Sequence, residues 1–271
     1  MIISASRRTD IPAFLGEWFM ECLRAGEVFV KNPVNGTQVS LIDLSPEAVD
    51  CLVFWTKNPA PFLSFLDELD GRGYRYYFQF TLTPYGRDIE RNLPEKNAVL
   101  DTFCRLSERL GKGRVIWRYD PILYNNHYTP SCHAEKFEEF CAALAGKTEK
   151  CVISFIDSYS FLKKSFAELG IRELTAEEIS RTAAMLHPAA EKYGITLASC
   201  CEKADLALYG IEKNKCIDAE LINRLFSLNL RCKKDPGQRP QCCCAVSRDI
   251  GSYHTCLHGC RYCYAARGPN S

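Results

Sequence analysis

The sequence predicts an α/β protein, a TIM-like partial (β/α)6 barrel followed by a cysteine-rich tail. Three observations lead there. Short β-rich runs alternate with amphipathic helical stretches, as in a parallel sheet built from βα units. The 271 residues with 46% hydrophobic content suit one large α/β unit, a class that routinely reaches about 250 residues. From Arg231 onward the composition shifts to Lys, Arg, Gln, Pro and Cys. Residues 1–230 therefore read as the barrel and 231–271 as a tail packed on it.

The six expected strands are residues 1–5, 51–55, 75–82, 114–119, 151–155 and 195–199. A hairpin with arms at 27–32 and 37–44, around Pro33-Val34-Asn35-Gly36, decorates the first βα unit. Val99, Phe103, Leu106 and Leu110 recur at helical spacing, as do Ile179, Ala183, Leu186, Ala190 and Tyr193. The second helix opens with a capping box, Thr175 to Glu178, and Pro188 is expected to kink its later part. A last helix falls near residues 218–226. Periodicity alone does not separate a partial barrel from an open doubly wound sheet. Both put functional groups at the C-terminal strand ends.

Composition excludes some function classes. The formal charge of +1 gives no field that would draw nucleic acid or an anionic membrane. No apolar run approaches the roughly 20 residues that span a bilayer, and Arg7 and Arg8 stand where a signal peptide would carry its apolar core. A cytoplasmic protein is expected. In a reducing compartment, 16 cysteines point to metal or redox work rather than disulfides.

The strongest motif is Cys256-Leu257-His258-Gly259-Cys260-Arg261-Tyr262-Cys263. Three thiolates at C-x3-C-x2-C spacing can hold three corners of a [4Fe-4S] cube and leave one iron free for another ligand. Gly259 lets the backbone bend tightly beside Cys260. The competing reading is structural zinc, with His254, His258 or one of Cys242, Cys243 and Cys244 as fourth ligand, although zinc sites usually come as paired knuckles. Cys201, Cys216, Cys242 and Cys244 would complete a second four-thiolate site, either a relay cluster or zinc. Cys22, Cys51, Cys104, Cys132, Cys141 and Cys151 read as buried small hydrophobes.

Other candidates lie at the strand ends. Arg118 and Asp120 point the same way along their strand, as an anion-holding pair or a buried ion pair. Arg7 and Arg8 could bind an anion, whereas Asp10 before Pro12 reads as a helix N-cap. Trp55, Lys57 and Asn58 suit a planar polar ligand, or Asn58-Pro59 is an ordinary loop entry. Tyr77, Gln79, Thr81 and Thr83 form the polar face of the third strand, a candidate pocket lining. Glu202 is a candidate general base.

The cysteine triplet with Tyr262 before its last member resembles the cluster motif of the radical S-adenosylmethionine enzymes. The opening Ile3 to Pro12, with Cys242 to Cys244, Ser247 to Tyr253 and Cys256 to Ala265, resembles a bacterial family designated domain of unknown function 1848, over essentially the whole chain. By the radical-enzyme resemblance, Cys256, Cys260 and Cys263 would ligate a [4Fe-4S] cluster whose free iron takes S-adenosylmethionine, with Tyr262 against the adenine. Cleavage of the sulfonium would then yield a 5′-deoxyadenosyl radical that abstracts hydrogen from a small-molecule or modified-polymer substrate. An electron donor such as a flavodoxin or ferredoxin is implied. In most such enzymes the triplet follows the first strand, whereas here it follows the sixth. A zinc-stabilised binding or scaffold protein and an iron–sulfur electron-transfer protein are the rival readings.

Overall fold

The computed structural model describes residues 1–266. Its strands are β1 (Ile2–Ala5), β2 (Glu27–Lys31), β3 (Val39–Asp43), β4 (Cys51–Thr56), β5 (Tyr76–Thr81), β6 (Val115–Ile122), β7 (Lys150–Phe155), β8 (Thr196–Ser199), β9 (Glu212–Lys213) and β10 (Arg248–Asp249). Its helices are α1 (Ile11–Phe14), α2 (Gly16–Ala25), α3 (Leu66–Gly71), α4 (Lys96–Leu110), α5 (Pro130–Leu144), α6 (Lys163–Leu169), α7 (Ala176–Lys192) and α8 (Ala219–Phe226).

Eight strands form one sheet in the order β10-β1-β4-β5-β6-β7-β8-β9, and all of its pairings are parallel. The six expected strands are its centre. Two short strands, β9 and β10, extend it beyond the expectation, and β10 comes from within the expected tail. No ladder joins β9 to β10 among the described residues. The decorating hairpin is present as β2 and β3, paired antiparallel from Glu27↔Asp43 to Lys31↔Val39.

Alternation along β5 sets the two faces of the sheet. Tyr76, Phe78 and Phe80 pack into the helix-side core with Phe54, Phe103 and Trp117. Tyr77 points to the other face, where Ile2, Val53, Ile116 and Val152 meet Ile217, Leu221 and Ile222. Helix α8 covers this second face because its apolar residues share one side, and Asp218 starts it by accepting from the backbone N–H groups of Glu220 and Leu221. Burying Leu221 and Ile222 stabilises this docking by about 1.5–3 kcal/mol each.

Helix α7 carries the expected capping box, with the Thr175 hydroxyl and the Glu178 carboxylate each accepting a backbone N–H, and it continues past Pro188 to Lys192. The tail joins the fold through β10, which pairs Ile3↔Arg248 and Ser4↔Asp249. Gly251 follows where the chain passes Ser6, and a Cβ there would lie 2.0 Å from Ser6 Oγ. No helix among the described residues is long and apolar enough to cross a membrane.

Candidate functional site

The C-terminal strand ends and the tail surround a cavity of about 590 Å³. Several of the candidate strand-end residues lie on its wall. Arg7 and Arg8 follow β1, Lys57 follows β4, Arg118 and Asp120 lie on β6, and Cys200, Cys201 and Glu202 follow β8; all line the cavity. The tail contributes Cys242, Cys244, Cys256, Cys260, Tyr262 and Cys263 to the same wall.

The cysteine loop is seated on the segment after β5. Glu90 and Cys260 form an antiparallel bridge, the Arg261 N–H donates to Ile89 O at 2.9 Å, and the Asn92 N–H donates to His258 O at 3.0 Å. Gly259 sits at φ 66° with Asn92 Nδ2 3.1 Å from where a Cβ would be, so the tight bend expected there is real. Burial pushes the Cys256 thiol up to about 11 and raises Cys260 and Cys263 as well, with Lys57 pulling the other way on both. Charge on Cys263 opposes ionisation of Cys256, and charge on either of these opposes ionisation of Cys260.

Glu90 is the hub behind this loop and carried no motif in the sequence. It is 1% exposed and accepts from Lys57 Nζ at 2.7 Å, Lys96 Nζ at 2.6 Å, Thr83 Oγ1 at 2.8 Å and the Tyr262 hydroxyl at 2.5 Å. Burial opposes its charge, yet the two lysines hold its carboxyl down at about 2. Tyr262 is thereby fixed by its polar end, with Lys57 Nζ 5.5 Å from its ring centroid. Asp10 caps α1 as expected, accepting from the Ala13 N–H at 3.0 Å. Its other oxygen accepts from the Lys57 N–H at 2.7 Å and meets His258 Nε2 at 2.8 Å. The sequence named His258 only as an alternative zinc ligand. Asp249 was also missed: it accepts from the Ser4 and Ser6 hydroxyls and the Arg7 N–H.

A second group of thiols lies at the base of the cavity. Cys200 Sγ touches Cys216 Sγ at 3.4 Å, and Cys244 lies beside both Cys216 and Cys242. Cys200 therefore holds the place expected of Cys201. Strand β8 ends at Ser199, and Cys201 turns away in a φ 60° conformation, near Arg239 and Cys242. Arg118 Nη1 donates to Cys216 Sγ at 2.9 Å, and Asn214 Nδ2 donates to the same sulfur at 3.1 Å. Thiol donation from Cys200 and Cys244, reinforced by Arg118, pulls Cys216 well below the ordinary thiol range. Among the described residues, no three or more His, Cys, Asp or Glu side chains are arranged to hold a metal ion.

The remaining candidates separate clearly. Arg118 pairs with Asp120, which also accepts from Ser154 Oγ. Gln79 lies behind the cavity wall, donating to Cys216 O at 2.8 Å and accepting from Arg118 Nη1 at 3.3 Å. Asn58 is not on the wall: its Oδ1 accepts the Ala60 N–H at 3.3 Å, the ordinary loop entry. Glu202 accepts the Phe155 N–H at 2.9 Å, and burial raises its carboxyl to about 7.

The family model for domain of unknown function 1848 (DUF1848) matches residues 2–265. No curated protein matches the chain. Two solved structures are similar over much of their length. One is a protein proposed to be an alpha-L-fucosidase from Bacteroides thetaiotaomicron VPI-5482, 11% identical over 67% of this chain and 73% of that one, at a TM-score of 0.30. The other is an HpcH/HpaI aldolase from Desulfitobacterium hafniense DCB-2, 10% identical over 78% and 83%, at 0.29. Scores of this size carry no weight for fold or activity.

Proposed function

The chain belongs to the DUF1848 family, and we propose that it is an iron–sulfur enzyme of the radical S-adenosylmethionine type, with its sheet curved as a TIM-like partial barrel around the cavity. The observation that carries this reading is the position of Cys256, Cys260 and Cys263, three thiols from one short loop on the wall of a cavity of about 590 Å³. A cube binds each thiolate through a different iron, so its ligands need not converge on one point as those of a single ion do. The donor set fits such a cluster. Thiols pushed up by burial need a positive charge to ionise, which bound iron provides.

The Cys200–Cys216 contact at 3.4 Å leaves no room for a second cube between those sulfurs, so one cluster is proposed. When bound, a cluster with one iron free of protein ligand supplies an electron to S-adenosylmethionine, drawn from a donor such as a flavodoxin or ferredoxin. The chain's own residues do the rest. Glu90 and Lys57 hold Tyr262 against the loop. Glu202, with its carboxyl near 7, can hold or release a proton at Oε2. Tyr262 and the tail form part of the cavity wall, where they would help keep water from a reactive intermediate.

Protein purified without oxygen tests the reading. A brown solution absorbing near about 400 nm is expected, because thiolate-bound iron has charge-transfer bands that zinc lacks. Its reduced electron paramagnetic resonance spectrum should change on adding S-adenosylmethionine, and 5′-deoxyadenosine should form. Colourless protein with stoichiometric zinc would overturn the enzyme reading in favour of a scaffold. An unchanged spectrum would leave electron transfer.

A further inference from the structure

Among the described residues, Arg7 is a cation whose Nη2 finds no acceptor. Its guanidinium lies 5.5 Å from the Trp55 ring centroid, and Nη2 is buried with no hydrogen-bond partner among the described residues. Trp55 Nε1 is buried and unpartnered in the same way. Both residues line the cavity. An unpaired buried donor is costly, more so when charged, so the cavity is the place from which an acceptor can come.

The acids around Arg7 are committed elsewhere. Asp249 is taken by the Ser4 and Ser6 hydroxyls and by backbone N–H groups of Arg7 and Gly251. Asp10 holds the Ala13 and Lys57 N–H groups and His258. Asp120 holds Arg118 and Ser154. The Cys216 and Cys244 thiols are also near Arg7, but a thiol is a weak acceptor and Cys216 already receives Arg118 and Asn214. Arg118 makes the contrast plain: its guanidinium lies 5.0 Å from the same Trp55 ring and is satisfied by Asp120, Gln79 and Cys216.

We infer that Arg7 and Trp55 Nε1 receive an oxygen anion, a carboxylate or phosphate group, carried by the substrate. The planar guanidinium fork matches either group with two parallel N–H bonds, and an indole N–H can only donate. The substrate class is thus a small anionic molecule. This deepens the proposed function and rests on its reading of the cavity as an active site.

The test is thermal unfolding of anaerobically purified wild type, Arg7→Gln and Arg7→Lys at constant ionic strength. Inorganic phosphate, acetate and S-adenosylmethionine are titrated separately against sodium chloride. Phosphate or acetate should raise the wild-type midpoint, and which one does so names the group. Arg7→Gln should weaken that effect at least tenfold, while Arg7→Lys keeps part of it. Without added anion, Arg7→Gln should be at least as stable as wild type, since it removes an unpaired cation; a merely structural arginine would give the reverse. The inference is overturned by a wild type indifferent to phosphate and acetate, by Arg7→Gln unfolding early in plain buffer, or by a loss confined to S-adenosylmethionine. Absorbance near about 400 nm on the same samples reports the cluster, so anion dependence in colourless protein would sink the enzyme reading and leave this site standing.

Discussion

Tyr262 donates its hydroxyl to Glu90 Oε1 at 2.5 Å, across 172 residues of chain, and the same carboxylate takes both Lys57 and Lys96. One buried acid therefore ties the cysteine loop to the segment after β5.

Glu90→Gln should destabilise the protein by about 3–5 kcal/mol, since it strands two largely buried ammonium groups. Urea unfolding measures it. The carboxyl stands near 2 in the fold against 4.5 ordinarily, so its stabilisation is complete above about pH 4.5 and is lost as pH falls toward 2. The variant should lack that segment of acid dependence.

Glu202 has the opposite sign. Its carboxyl is raised from 4.5 to about 7, so the folded state holds the proton more tightly and stability falls as pH rises from about 4.5 to 7. Glu202→Gln should remove this slope and gain roughly 2 kcal/mol over wild type at pH 8, allowing for partial exposure. Denaturant midpoints at pH 5 and pH 8 decide it.

Asp120→Ala should cost about 3–5 kcal/mol by leaving Arg118 buried beside Trp55 without its carboxylate. Arg118→Met in the same chain should recover part of that loss, because the stranded charge is gone. A double-mutant cycle of unfolding free energies gives the coupling.

Gly251→Ala should destabilise by about 1–3 kcal/mol, as its methyl would meet Ser6 Oγ at 2.0 Å and Ser6 Cβ at 2.5 Å. The clash pushes β10 from β1, so limited proteolysis should cut the tail faster than in wild type.

Cys260→Ala should lower bound iron by about four atoms per chain with far-ultraviolet circular dichroism unchanged. Global unfolding would instead make the loop a structural element.

The central strands were legible because β5 and β6 alternate cleanly and are bounded by turn residues, and α7 because its capping box is local. Strands β9 and β10 are two residues each; their pairing depends on partners such as Ile3↔Arg248, which no local window contains. The same distance hid Glu90, whose polar partners include residues 33 and 172 positions away. Adjacent cysteines could not be told apart either. Cys200 and Cys201 differ only in which way the chain turns after Ser199, and the fold decides that in favour of Cys200. Arg7 and Arg118 look alike as strand-end arginines, yet the surrounding acids satisfy one and not the other.

The pairing of β10 on β1 also fixes an order of events during synthesis. Ser4 must wait for Asp249, 245 residues later, and at about 5–20 residues per second that delay is roughly 12 to 50 seconds on the ribosome. Until then this edge of the nascent sheet has no neighbour and the cavity lacks the wall that bears its last cysteines. Whatever the finished molecule carries there is bound only after Cys263 has been synthesised, so the strands alone cannot mature the site.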